Sequence, residues 1–129
     1  MLKVKTYLKE IEGKGIGLFA DQFIPEGTIV SVFEYPDIVI PLNKYLALDE
    51  RSREFIYYYG WLEEGNVYIS TDNDRFVNHS NNPNIIDKEE KAIALRDIFK
   101  DEEITCNYYE LCDWVKVEGL GFEVIEKGS

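Results

Sequence analysis

The chain is short of the residues that staple or metallate small proteins. Its 129 residues include two cysteines and one histidine. Cys106 and Cys112 are too few for a disulfide framework and do not form a C-x-x-C pair. A zinc site of four protein ligands drawn from cysteine and histidine is excluded by the same count. Positive charge is also scarce: 14 Lys and Arg against 25 Asp and Glu leave a formal net charge of −11. That balance argues against general DNA or RNA binding, which needs basic patches to neutralise phosphates. It fits a basic partner better, such as a lysine- or arginine-rich peptide. No apolar run approaches the roughly 18 residues that span a bilayer. The opening Met1-Leu2-Lys3-Val4-Lys5-Thr6 lacks the apolar core of a signal peptide, so no membrane partner and a cytoplasmic location are the expectation.

What is present suits one packed domain over residues 1–129, since 45% of the chain is hydrophobic and 14% aromatic. Residues 2–8 alternate loosely and read as a strand, followed by a loop at Gly13, Gly15 and Gly17. Ile24-Pro25-Glu26-Gly27 is a turn. Strands are expected at 28–33, 38–40, 67–70, 76–77, 92–96 and 104–107, with one more around 122–124. Residues 63–66 and 87–91 read as polar connections. One helix stands out at 50–59: Asp49 caps it, Glu50 suits its first turn, and Phe55, Ile56 and Tyr59 share a face. Gly60 ends it. Many short strands and one helix indicate a mainly β fold of several small sheets, although a sandwich or barrel satisfies the same pattern.

Three segments carry chemistry. The Gly-x-Gly at Gly15-Ile16-Gly17 lets backbone approach a ligand closely, but it is not a dinucleotide fingerprint because the third glycine and the helix are missing. Alone it reads as an ordinary turn. Residues 75–84 place Arg75, His79 and four asparagines (Asn78, Asn81, Asn82, Asn84) between an apolar approach and Pro83. Asparagine favours neither helix nor strand, so the strip either turns or aims polar groups at something. Finally, residues 97–108 run from an apolar pair through a charged turn into a strand ending at Tyr108-Tyr109. A tyrosine there reads first as packing and second as a hydrogen-bonding group.

In this order the three segments resemble the SET-domain family of protein lysine methyltransferases. Lys14-Gly15-Ile16-Gly17-Leu18-Phe19-Ala20 with Ile24-Pro25-Glu26-Gly27-Thr28-Ile29-Val30 is similar to the family's opening motif. Arg75-Phe76-Val77-Asn78-His79-Ser80 with Pro83-Asn84 is similar to its R-F-x-N-H-S-C-x-P-N signature. Glu102-Glu103-Ile104-Thr105 with Tyr108 resembles its closing G-E-E-L-T-x-x-Y element. The motifs cover residues 13–109 and leave 110–129 as a flank.

The resemblance implies a β-clip-like fold of small sheets with a knot-like C-terminal threading, which brings the Asn-His strip beside the closing tyrosine. It implies S-adenosylmethionine on one face and a protein lysine entering from the other. Backbone at Gly15, Ile16 and Gly17 would meet the cofactor. Asn78 would hold its methionine amino or carboxylate end by the side chain, and His79 would meet the adenine by backbone. Arg75 would support the pocket, and Tyr108 would stand at the methyl-transfer point. His79 is the tempting general base, but the resemblance gives it backbone and packing roles.

Three departures bear on this. Asn81 stands where many members have a zinc-binding cysteine, and no cysteine-rich tail follows, so no zinc is expected. The lysine channel then needs another closure, for which Tyr109, Trp114 and Phe122 are candidates, each with core packing as the plainer role. Asp101 replaces a glycine, which changes a turn. No cysteine-rich region precedes the motifs, so the chain reads as a minimal version of the domain. Tyr35 is a further channel candidate. The aromatic run Tyr57-Tyr58-Tyr59-Gly60-Trp61 reads first as a packed helix face and second as a peptide-binding wall. The competing function is a non-catalytic β-rich module that binds a peptide or ligand on the same scaffold.

Overall fold

A computed structural model describes residues 1–111, 114–115 and 123–124. The first sheet is a hairpin of β1 (Thr6–Ile11) and β2 (Gly15–Ala20), paired from Thr6↔Ala20 to Ile11↔Gly15. The strand expected at residues 2–8 therefore begins later. Leu2 makes only an isolated bridge to Ser31. Much of β1 is exposed, so its apolar alternation carried little register information.

Two three-stranded antiparallel sheets form the body. One has the order β3 (Ile29–Val32), β9 (Lys91–Ala94), β8 (Ile85–Lys88). The other has the order β4 (Ile38–Pro41), β6 (Asn66–Ile69), β5 (Gly60–Glu63). Residues 87–91 are thus not a loop: β8 runs through Asp87 into a two-residue turn at Glu89-Glu90, with φ of 51° and 66°. Glu64-Gly65 turns the other hairpin at 48° and 80°. Positive φ at both central residues matches the right-handed twist of the flanking strands.

The helix α2 (Glu50–Tyr59) follows the short α1 (Leu42–Leu46). The Asp49 carboxylate accepts from the Ser52 N–H at 2.9 Å and so satisfies one of the helix's unpaired N-terminal donors, as a cap does. Ile56 is buried, whereas Phe55 is half exposed and rests on Tyr59. Gly60 stops the helix for a reason other than left-handed φ. Its backbone is extended, and a Cβ there would lie 2.8 Å from the carbonyl oxygens of Ile56 and Tyr68.

Residues 76–77 were expected to be strand, but Asn73–Phe76 form a 3-10 turn instead. Its N-terminus is capped by Asp72, so local side-chain bonding outweighs the β preference of Phe and Val. The strip then pairs in parallel: β7 (Asn78–His79) lies against β10 (Thr105–Cys106), with Asn78↔Thr105 and His79↔Cys106. On its other edge the closing segment bonds β2, through Ala20 N–H to Glu102 O and Ile104 N–H to Leu18 O. Residues 101–106 are therefore clamped between the glycine loop's strand and the asparagine strip. The four-residue helix α3 (Tyr108–Leu111) follows, and short strands β11 (Trp114–Val115) and β12 (Glu123–Val124) pair with each other.

Two apolar clusters hold these pieces. Leu18, Ala20, Ile24, Val30, Ile98 and Ile104 anchor the one beneath β2, β3 and the closing segment. Tyr45, Ile56, Leu62, Val67 and Ile69 form the other, between α1, α2 and the second three-stranded sheet.

Candidate functional site

Successive residues of an extended strip face opposite sides. Asn78 faces the glycine loop, and its amide nitrogen donates to Ile16 O at 3.3 Å and Glu103 Oε2 at 2.9 Å. Glu103 also receives Lys14 Nζ at 3.6 Å from its other oxygen. Gly17 closes this cluster from above: a Cβ there would sit 2.7 Å from Glu103 Oε2 and 3.2 Å from Asn78 Nδ2. Gly15, at φ +92°, needs glycine for its backbone conformation. The three motifs thus meet at Asn78, and Glu103, which the sequence offered only as part of the closing motif with no role of its own, joins them. Its partner-rich position follows from the strand pairing Phe19↔Glu103 and leaves no local mark.

Val77 and His79 face the other way, into a cavity of about 800 Å³ between the two three-stranded sheets. Tyr108, 42% exposed, stands on its wall and donates its hydroxyl to Val77 O at 2.7 Å. Its backbone N–H donates to His79 Nδ1 at 3.0 Å. Arg75 also lines this cavity, with its guanidinium over the Phe76 ring at 4.8 Å and the Tyr59 ring at 5.7 Å. The residues expected around a single cofactor therefore divide. Gly15, Ile16, Gly17 and Asn78 lie on one side of the strip, and Arg75, His79 and Tyr108 line the other.

The cavity lining is rich in both aromatic and acidic side chains. Tyr57, Tyr58, Tyr59, Gly60 and Trp61 all contribute, so the aromatic run is a cavity wall as well as a packed face. Phe33 completes it, edge-on to Trp61 at 5.7 Å and to Tyr68 at 5.2 Å. Tyr35, expected in this place, is 94% exposed and is not among the cavity-lining residues. Glu63, Glu64, Asp74, Asp87, Glu89 and Glu90 supply the acid. Burial raises both Asp74 and Asp87 to about 6, with neighbouring carboxylates adding to the effect. Asp87 is exposed and lines the cavity, and Glu63 and Asp74 are the neighbouring charges that add to its rise.

Asn81 Oδ1 meets His79 Nε2 at 3.0 Å. Among the described residues, no group of three or more His, Cys, Asp or Glu side chains is placed to hold a metal. Phe122 and the side chains of Tyr109 and Trp114, the candidates for closing the channel, lie outside the described residues.

Comparison with known proteins bears on this geometry. The SET domain family model matches residues 15–109. No curated protein matches. Among solved structures, ctPRC2 in an autoinhibited conformation bound to S-adenosylmethionine is similar at 28% identity and a TM-score of 0.61, over 84% of this chain. An active polycomb repressive complex 2 in the basal state is similar at 27% identity and 0.65, over 81%. A humanized mutant of the Chaetomium thermophilum Polycomb Repressive Complex 2 is similar at 26% identity and 0.61, also over 81%. The alignment spans 15% of each of those longer chains.

Proposed function

The chain belongs to the SET-domain family, and from that premise we propose that it is a methyltransferase that uses S-adenosylmethionine to methylate a lysine side chain of a basic protein or peptide. The observation that carries this reading is the two-sided strip: Asn78 turned to the glycine loop, and Val77, His79 and the Tyr108 hydroxyl turned to the aromatic cavity.

The residues on the glycine-loop side fit the cofactor. Both hydrogens of the Asn78 amide point to protein acceptors, so its Oδ1 is the group it offers a ligand. An acceptor suits the ammonium of a methionine moiety and not its carboxylate. The Glu103 carboxylate beside it adds negative charge of the right sign. The Gly15–Ala20 strand start brings backbone close, as a glycine loop allows. When bound, S-adenosylmethionine supplies a sulfonium-activated methyl group.

On the cavity side the protein has two tasks, alignment and control of a proton. Transfer to an amine is an in-line displacement, and positioning supplies much of its acceleration. The Tyr108 hydroxyl is itself fixed by donation to Val77 O, so its oxygen presents lone pairs at a defined place on the wall. A lysine must lose its proton from a reference pKa of about 10.4, and stripping water from it lowers that value. The rings of Phe33, Trp61 and Tyr68 do this. The carboxylates favour the protonated form, so they suit capture of a cationic segment, and the rings suit the reactive amine.

Titration of S-adenosylmethionine by calorimetry tests the reading. Wild type is expected to bind, and Asn78→Ala to bind at least about tenfold more weakly, through loss of a hydrogen bond to a charged group. Absence of binding to the wild-type protein would favour the non-catalytic module.

A further inference from the structure

We infer that Asn81 and His79 are positioning residues for Tyr108: Asn81 holds the imidazole of His79 in one tautomer, and that tautomer holds the backbone of Tyr108. The inference deepens the methyltransferase reading and rests on it for the consequence to catalysis, though not for the hydrogen-bond chain itself.

Three contacts define the chain. The Tyr108 N–H donates to His79 Nδ1 at 3.0 Å, His79 Nε2 lies 3.0 Å from Asn81 Oδ1, and the Tyr108 hydroxyl donates to Val77 O at 2.7 Å. A backbone N–H can only donate. His79 Nδ1 must therefore carry a lone pair, which places the ring proton on Nε2. That proton points at an acceptor, the Asn81 carbonyl oxygen. A side chain offering a donor there would oppose it and favour the other tautomer, which would set a ring N–H against the Tyr108 N–H. Each link has one direction: the Tyr108 N–H requires a lone pair on Nδ1, and Asn81 Oδ1 secures the Nε2 proton that follows.

The chain matters because of where Tyr108 sits. It is the first residue of α3, a four-residue helix whose opening N–H groups have no partner within the helix. His79 accepts the first of them. Its own position is fixed by the parallel pairing His79↔Cys106 and by Ser80 N–H to Cys106 O at 2.8 Å. Tyr108 is consequently held at two points by one strip, the hydroxyl by Val77 and the backbone by His79, with the two rings 5.3 Å apart. The same arrangement engages His79 Nδ1 and leaves the ring in a supporting role, not that of a general base. Asn81, which stands where many family members carry a zinc ligand, here serves the histidine two residues before it.

His79 is the only histidine in the chain, so its imidazole gives a single set of signals in a long-range proton–nitrogen correlation spectrum. With the imidazole neutral, the wild-type protein is expected to show the Nε2–H tautomer. Asn81→Asp keeps an acceptor and is expected to keep both tautomer and turnover. Asn81→Leu removes it from an exposed position and is expected to give a mixed tautomer, with turnover down roughly tenfold or more and S-adenosylmethionine affinity nearly unchanged, as misplacement of an aligned group produces. An Nδ1–H tautomer in the wild type would overturn the inference, as would an Asn81→Leu protein with unchanged spectrum and turnover. If the wild type transfers no methyl group, the spectrum still decides the tautomer, so failure of the enzymatic reading is told apart from failure of the chain.

Discussion

Asn84 shows how one polar residue of the asparagine strip can be structural. It is almost fully buried, its Oδ1 accepts from the Thr105 N–H at 2.9 Å, and its Nδ2 donates to Glu103 O at 2.8 Å. It thereby pins the closing segment that carries Glu103 toward Asn78. Replacing it by leucine, of similar size, leaves a buried donor and a buried acceptor unpaired, each costing about 1–3 kcal/mol. Asn84→Leu is therefore expected to lower the unfolding free energy by roughly 2–4 kcal/mol in a denaturant titration. At this scale the sequence was most legible where a residue's role is local. Asp49 capping was readable because it acts within a few positions, whereas the need for glycine at Gly60 comes partly from the Tyr68 carbonyl on a neighbouring strand. Glu103 was not, because its partners Asn78 and Lys14 come from distant segments. Tyr35 stands 94% exposed, whereas Phe33 lines the cavity beyond the end of β3 at Val32.

At the scale of elements, the turn at Glu89-Glu90 is the clearest case of chemistry working against geometry. Both residues adopt positive φ, which costs a side-chain-bearing residue of this kind roughly 1–2 kcal/mol. They also place two like charges side by side in an already acidic protein. No Asn-Gly or Asp-Gly marks the turn, so the hairpin β8–β9 read as a polar connection. Replacing the pair by Asn-Gly is expected to stabilise the protein by about 1 kcal/mol or more, visible as a higher melting temperature. The same reasoning applies at Asp101, at φ +74°, where the left-handed turn survives without the glycine usual to the motif and the carboxylate receives the Tyr7 hydroxyl at 2.9 Å. The 3-10 turn at Asn73–Phe76 was illegible for a different reason. Phe76 and the following Val77 have β preference, and the Asp72 cap together with the packing of Arg75 on two rings decides otherwise.

For the whole molecule, the decisive feature is a cavity that exists only because two sheets, a helix end and the closing segment converge. The net charge of −11 suits the basic substrate proposed above, and carboxylates line the cavity. Their desolvation has a measurable signature. Asp87 has a folded-state value of about 6, above its ordinary 3.8, so the folded state favours its protonated form. Its stabilising contribution is complete below about 3.8 and is lost as pH rises through 6. Asp87→Asn removes that loss. The variant is expected to gain stability relative to wild type as pH is raised from 4 to 7, with no gain at the acidic end, in parallel denaturation series. A difference that runs the opposite way with pH would mean that Asp87 is stabilised as a carboxylate in the fold.

The two-sided strip is tested most directly by methyl transfer from isotopically labelled S-adenosylmethionine to a lysine- and arginine-rich peptide, followed by mass spectrometry of the peptide. With wild type, the label is expected on a lysine side chain. With Tyr108→Phe, transfer is expected to fall by about a hundredfold while S-adenosylmethionine affinity holds, because the hydroxyl lies on the cavity side of the strip and the cofactor loop on the other. Equal transfer by the two proteins would contradict the account, and so would a loss of cofactor affinity that matches the loss of transfer.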